Sequence, residues 1–230
     1  MADVRLTVRK AMNISQVEAR FWRAEVLLMR KMAPGRSIPC GNIEFPVPER
    51  FGGVPEAAYR GTRTGHLENH LRTLQSERHV DFSSVRAAVF GGGIGRSAAA
   101  LAGFCRKVDV YESAPLFVKT GRDLMDQLGI SNVNFLTENY FHINREDISR
   151  IRLVYFYNPQ PGNLSFMSSM AFTLAKLRPG TLIISCGYIW DGLVKSQFFK
   201  PFYPRDPRRF AEAEFPTLVR TRRPNASVGV

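Results

Sequence analysis

The chain has 230 residues, 44% hydrophobic and 23% charged, which is ordinary globular composition and enough for one large domain or a core with an extension. No apolar run reaches membrane-spanning length, and the opening MADVRLTVRKAMN lacks the apolar stretch of a secretory signal. Cys40, Cys105 and Cys186 form no CxxC pair, so neither a disulfide framework nor a zinc knuckle is expected, and the chain reads as cytoplasmic, with no membrane partner.

The net charge is +12 and unevenly placed. Residues 1–36 hold eight Lys/Arg against three Asp/Glu, and residues 195–223 repeat that balance. Such basic flanks suit nucleic acid or an acidic partner, although a plainly solvated surface has the same composition.

In chain order, residues 15–32 read as an amphipathic helix. Ser15 and Glu18 fit an S-x-x-E capping box. Ile14, Val17, Phe21, Ala24 and Leu28 share one face, and Pro34–Gly35 stops the element. Residues 37–62 are rich in Pro and Gly and read as a long loop or lid. A second helix follows over 64–77, with Leu67, Leu71 and Leu74 on one side.

From Val85 the pattern becomes strand, helix, strand. The predicted strands are 87–90, 107–111, 133–136, 152–157 and 181–186; the predicted helices are 96–105, 115–128 and 164–177. This order predicts an α/β fold: a Rossmann-like, doubly wound, mostly parallel sheet. Residues 217–221 and 226–230, around Pro224–Asn225, are expected to add a C-terminal antiparallel hairpin. The division is residues 1–80 as a helical and loop cover, and 81–230 as the core.

The most informative stretch is AAVFGGGIGRSAAALA (87–102), followed by KVDVYE (107–112). A strand enters a turn holding Gly91, Gly93 and Gly95, and a helix leaves it. Glycines let the backbone turn sharply and let a ligand approach, and the new helix points unpaired N–H groups at that ligand. Glu112 ends the next strand, 17 residues after Gly95. An acid there can accept hydrogen bonds from both hydroxyls of a ribose. Two cofactor classes use this layout. A dinucleotide register fails from Gly91, because its third glycine falls on Arg96, but is permitted at Gly93, Gly95 and Ala98.

The G-x-G-x-G pattern at 91, 93 and 95 resembles motif I of class I S-adenosylmethionine (SAM)-dependent methyltransferases. The segments after it extend the resemblance over residues 85–230. LGISNVNFLTENYF (128–141) is similar to the strand whose polar end meets the adenine, which implies Glu138 or Asn139 in that role. IRLVYFYNPQPG (151–162) stands where this family places motif IV, beside the transferable methyl. LRPGTLIIS (177–185) is similar to the family's entry into its fifth strand. The resemblance implies SAM as cofactor, with Gly91, Gly93, Gly95, Glu112, Ser113, Glu138 and Asn139 around it. It implies Tyr59 or Thr62, and their neighbours Arg60 and Thr64, in a segment closing over the cofactor. Asn158 would hold the attacking atom and Tyr157 shield it. The chain departs from the pattern at Val89, where many members carry an acid, and at Asn-Pro-Gln-Pro in motif IV. A flavin- or NAD(P)-binding oxidoreductase, or a binding protein that keeps the fold without the reaction, are the competing readings.

Other candidates are weaker. Phe51, Tyr59, Trp190, Phe198, Phe199, Phe202 and Tyr203 are available for a substrate mouth. His66 and His70 have the spacing to face one metal, but Leu67 stands where the metalloprotease motif needs Glu and no third ligand is evident, so no metal is expected. Asp109, inside the second strand, reads as an edge or solvent-facing residue.

Overall fold

The computed structural model describes residues 14–32, 44–46, 58–60, 63–157, 164–186, 193 and 198–221. The first helix, α1 (Ile14–Met32), is followed by two short strands, β1 (Glu44–Pro46) and β2 (Ala58–Arg60). These pair antiparallel, so the stretch expected to be loop contains a small ribbon. Helix α2 (Thr64–Arg78) leads into the main sheet: β3 (Arg86–Phe90), α3 (Arg96–Ala102), β4 (Lys107–Glu112), α4 (Pro115–Gln127) and β5 (Val133–Thr137). A 3-10 turn (Tyr140–His142) and the short helix α5 (Arg145–Arg150) connect to β6 (Leu153–Tyr157). Then come α6 (Leu164–Ala175), β7 (Leu182–Cys186), β8 (Phe199–Tyr203), α7 (Pro207–Glu212) and β9 (Thr217–Arg220).

The seven strands lie in the order β5-β4-β3-β6-β7-β9-β8. The first five pair parallel, and β9 runs antiparallel to both β7 and β8. The antiparallel addition is present, but its composition differs from the expectation. The partner of β9 is β8, which precedes it; residues 226–230 lie outside the described residues. Strand β8 reads FKPFY. Its central Pro201 cannot donate to a ladder, which suits an edge strand and hides it from pattern reading.

Why the sheet is buried on both faces follows from its strands. RAAVF, LVYFY and LIISC are nearly continuous apolar runs, as parallel strands covered by helices require. One face packs against α1–α4 through Phe21, Leu28, Leu67, Leu71, Ala98, Leu101, Phe117 and Leu124. The other packs against the 3-10 turn and α5–α7 through Tyr140, Ile148, Met170, Leu174 and Phe210. Successive strands are added outward in one direction from β3 to β5 and in the other from β6, which lies parallel beside β3, and the crevice at the carboxyl ends of β3 and β6 is where such sheets bind ligands.

Asp109, expected at an edge or facing solvent, is interior. Asp109 is fully buried, paired with Arg86 at 2.5 Å and with Lys107 at 3.4 Å, and accepts from Asn134 Nδ2 at 3.2 Å. Arg220 is buried and donates through Nη2 to the Ala175 carbonyl at 2.9 Å, placing a cation at the carboxyl end of α6. Phe198 and Phe199 lie under that guanidinium, with ring centroids 4.9 and 5.8 Å from it. Phe202 lies under Arg78, and Tyr203 against His70. These four aromatics therefore pack at the far edge of the sheet rather than at a substrate mouth; Phe51 and Trp190 lie outside the described residues.

His66 pairs with Glu214 at 3.0 Å, while His70 Nε2 shares a hydrogen bond with Thr217 Oγ1 at 2.9 Å. Both therefore tie α2 to the entry of β9. Burial pushes the His70 imidazole from 6.5 down to about 4. The unfolded chain takes up this proton below its ordinary pKa and the native state refuses it until about 4, so stability falls as pH drops across that window. The loss amounts to at most about 3 kcal/mol. Urea midpoints measured at pH 7 and pH 4.5 should differ less for His70→Gln than for the wild type; equal differences would remove His70 from the acid response.

Candidate functional site

Strand β3 ends at Phe90, and the chain turns immediately. Gly91, Gly93 and Gly95 have φ of 64°, 53° and 90°, a region that residues with a Cβ rarely adopt. The Gly91 N–H donates to the Tyr111 carbonyl at 2.9 Å, and the Gly95 N–H to the Gly92 carbonyl at 2.9 Å. Gly95 is required twice over, by its φ and by space: a Cβ there would stand 2.6 Å from the Phe135 ring and 3.0 Å from Met125 Cε. The same ring leaves no room for a Cβ at Gly121 of α4, where the distance would be 2.4 Å. Phe135 is thus wedged between two glycines, and Gly121 gave no sign of this in its helical context. Gly92, which the alternating motif passes over, is tight against Val110 and Val89. Val89, where an acid is commonly found, is a core residue instead.

Glu112 ends β4 beside this turn. Its Oε2 accepts from the Gly93 N–H at 2.9 Å and its Oε1 from the Ala114 N–H at 2.9 Å. The side chain is buried. Burial pushes its pKa up, while hydrogen bonds from the Ala114, Gly93 and Ser113 backbones hold it down. The structure thus joins the two features that the sequence singles out. A carboxylate offers about four lone-pair sites, so beside the Gly93, Ala114 and Ser113 N–H groups there is room to accept one further hydrogen bond. Ser113 follows it, exposed.

The end of β5 lies beside β4, with Thr137 opposite Glu112. Glu138 and Asn139 are exposed, and the Asn139 side chain accepts from the Phe141 N–H at 3.0 Å, capping the 3-10 turn. The residue that approaches the glycine turn is Tyr140. Its ring stacks on Phe90 with centroids 5.0 Å apart and planes 7° apart, and its Cε1 lies 3.9 Å from where a Gly91 Cβ would be. Burial, then the nearby Glu112 charge, push its hydroxyl pKa up. An aromatic residue just past a strand end was the available signal for it. Tyr157 is half-buried at the carboxyl end of β6, paired with Cys186. Asn158 and Thr62 lie outside the described residues. Tyr59 is in β2, paired in register with Phe45.

Arg96, directly after Gly95, opens α3 and reaches α1. Its Nε and Nη2 bind the two oxygens of Glu25 at 2.7 Å each, and its Nη1 donates to Glu18. Glu18 Oε1 in turn accepts from the Thr64 N–H at 2.6 Å. Glu18 therefore serves the N-terminus of α2, not a capping box in its own helix.

No protein-family model matches the chain, and no curated protein sequence matches it. Among solved structures, the Escherichia coli protein yhhF, which carries the name of a methyltransferase, superposes with a TM-score of 0.51. It is 12% identical, over 68% of this chain and 87% of its own. The chain has the class I methyltransferase fold. An RNA methyltransferase from Salinibacter ruber, solved with S-adenosylhomocysteine, is 21% identical over 72% of this chain and 94% of its own, with a TM-score of 0.49. An rRNA methylase from Streptococcus thermophilus is 16% identical over 67% of this chain and 97% of its own, also at 0.49.

Within this methyltransferase fold the glycine turn should be intolerant of side chains. Gly95→Ala combines an unfavourable φ with overpacking against Phe135, a cost of about 2–4 kcal/mol. A urea denaturation midpoint unchanged from wild type would contradict that geometry.

Proposed function

We propose that the chain is a SAM-dependent methyltransferase. The observation that carries this reading is the buried Glu112 carboxylate bonded to the Gly93 N–H at 2.9 Å. An acid held beside the glycine turn, at the carboxyl ends of β3 and β4, suits a ribose hydroxyl. The residues fit a nucleoside. Space beside Gly91 is open apart from the Tyr140 ring, and Glu112 retains acceptor capacity for a ligand hydroxyl beside its three backbone donors.

When bound, SAM supplies a methyl on a positively charged sulfur, already activated for displacement. The protein's share is alignment and exclusion of water. Glu112 would hold the sugar, the side-chain-poor turn would let the ligand pass close to the backbone, and Tyr140 would wall the side facing β5. Tyr157, at the end of β6, stands on the acceptor side with Asn158 next in sequence.

The acceptor class that the chain's charge favours is a polyanion, nucleic acid above all. The net +12 includes Arg20, Arg23, Arg30 and Lys31 on the exposed side of α1, a suitable surface for phosphate groups. Cytoplasmic residence accords with this, and no helix among the described residues is long and apolar enough to cross a membrane.

Calorimetry with S-adenosylhomocysteine tests the reading. Glu112→Ala should weaken binding by about tenfold or more, the value of a lost charge-assisted hydrogen bond. Equal affinity in the folded variant would take Glu112 out of the site. Labelled methyl transfer from SAM into RNA, protein and metabolite fractions then identifies the acceptor; binding without transfer into any fraction would favour a non-catalytic role.

A further inference from the structure

The five parallel strands start at the edge of the sheet opposite the glycine turn, and basic residues collect there. Lys107 opens β4, in register with Arg86 at the start of β3. The Arg152 N–H donates to the Arg86 carbonyl at 2.9 Å, which sets Arg152 next in the row, just before β6. The Arg152 carbonyl accepts from the Leu182 N–H at 3.0 Å, and the Arg178 carbonyl from the Thr181 N–H at 3.2 Å, so the turn carrying Arg178 comes next, before β7. Neighbouring strands lie about 4.8 Å apart, which makes this row roughly 15 Å long. Acids beside it are already engaged. Asp109 is buried against Arg86 and Lys107, Asp147 lies 3.9 Å from Arg86, Glu146 pairs with Arg150, and Asp81 accepts from the Ser83 N–H at 2.8 Å. Arg106, Arg152 and Arg178 are exposed, with no ion pair among the described residues.

Helix α6 ends at the same edge, where Arg220 holds its Ala175 carbonyl at 2.9 Å. Its inward residues Met170 and Leu174 fill the core. Phe172, on the outward face, is 68% exposed, and no other Phe, Tyr or Trp among the described residues is exposed. The Lys176 ammonium lies 4.7 Å from its ring centroid. A phenyl ring left in water contributes little to the fold, yet this one stands beside a line of uncommitted cations. Phosphate or an acidic peptide would use the cations and leave the ring idle. A strand of unpaired bases uses both.

We propose that this edge is a docking surface for single-stranded nucleic acid. Arg152, Lys176 and Arg178 take phosphates, and Phe172 stacks on a base. The surface lies across the sheet from Glu112, so a strand held here is anchored away from the crevice. The assignment is independent of the SAM reading, since it uses none of the residues of the glycine turn.

Fluorescence anisotropy of a labelled oligouridylate on the full chain tests it. Phe172→Ala should weaken binding by about fivefold or more, while a duplex of equal length, its bases already stacked on one another, stays within about twofold. No loss, or equal losses for both, overturns the proposal. Replacing Arg152 and Arg178 together by Gln should flatten the dependence of log affinity on log salt by about 1.4, the share of two phosphate contacts on a single strand. An unchanged slope overturns it as well. All three side chains are exposed, so these changes spare the fold. Polyglutamate should displace the oligouridylate from the wild-type protein poorly; displacement as effective as by unlabelled oligouridylate makes the surface one for acidic protein and overturns the proposal without recourse to any variant.

Discussion

One interaction organises this molecule: the hydrogen bonds that the Glu112 carboxylate accepts from Gly93 and Ala114. A carboxylate out of water is costly unless its oxygens are satisfied. Here they are satisfied by backbone, not by a cation. The bond to Gly93 crosses from the end of one strand to the turn after its neighbour, so turn and acid hold each other in place. Burial pushes the Glu112 pKa up, against the pull of its backbone donors, so the fold bears a cost for holding a carboxylate there. A cost of that kind persists at sites where a ligand makes use of it.

The second constraint is the Arg96 cluster, which fastens the N-terminal helices to the same turn. The glycines set where the backbone goes, and Arg96 then carries that position outward to α1 and α2. Phe21 of α1 lies over the guanidinium, with its ring centroid 5.4 Å away, so the ion cluster is roofed by apolar packing. Burial draws the Arg96 pKa down to about 10, and the guanidinium remains charged at neutral pH. Removing either partner from a buried pair leaves an uncompensated charge. The cover and the turn are therefore coupled through electrostatics as well as through shared apolar area.

What was legible in the sequence follows the range of the forces involved. The five parallel strands and their helices could be read because strands buried on both faces are written as short apolar runs. Glu112 could be read because its distance from the glycines is set by one helix and one strand. Strand β8 was missed because an edge strand with Lys200 and Pro201 has neither continuous nor alternating apolarity. Asp109 was misread because its partner Arg86 comes from the adjacent strand, and strand pairing is invisible in the order of residues. Glu18 fitted a local capping box, yet its partners are Thr64 and Arg96, 46 and 78 residues away. Tyr140 beside the glycine turn was not read because stacking on Phe90 depends on how the end of β5 folds back across the sheet.

Strand β4 carries two buried acids, and their surroundings explain why only one suits a ligand. Asp109 and Glu112 lie on opposite faces of the sheet, because side chains alternate along a strand. Asp109 sits in mid-strand, where Arg86, Lys107 and Asn134 use its oxygens. With full cations beside it, that acid is neutralised within the protein and closed off by the helices on its face. Glu112 sits at the strand's carboxyl end and meets only peptide dipoles. These stabilise the charge without cancelling it, and they approach from the turn and from the following residues, leaving room for one further donor. What makes an acid suitable for a ligand here is less its chemical type than having its charge met only by peptide dipoles, at the carboxyl ends of the parallel strands.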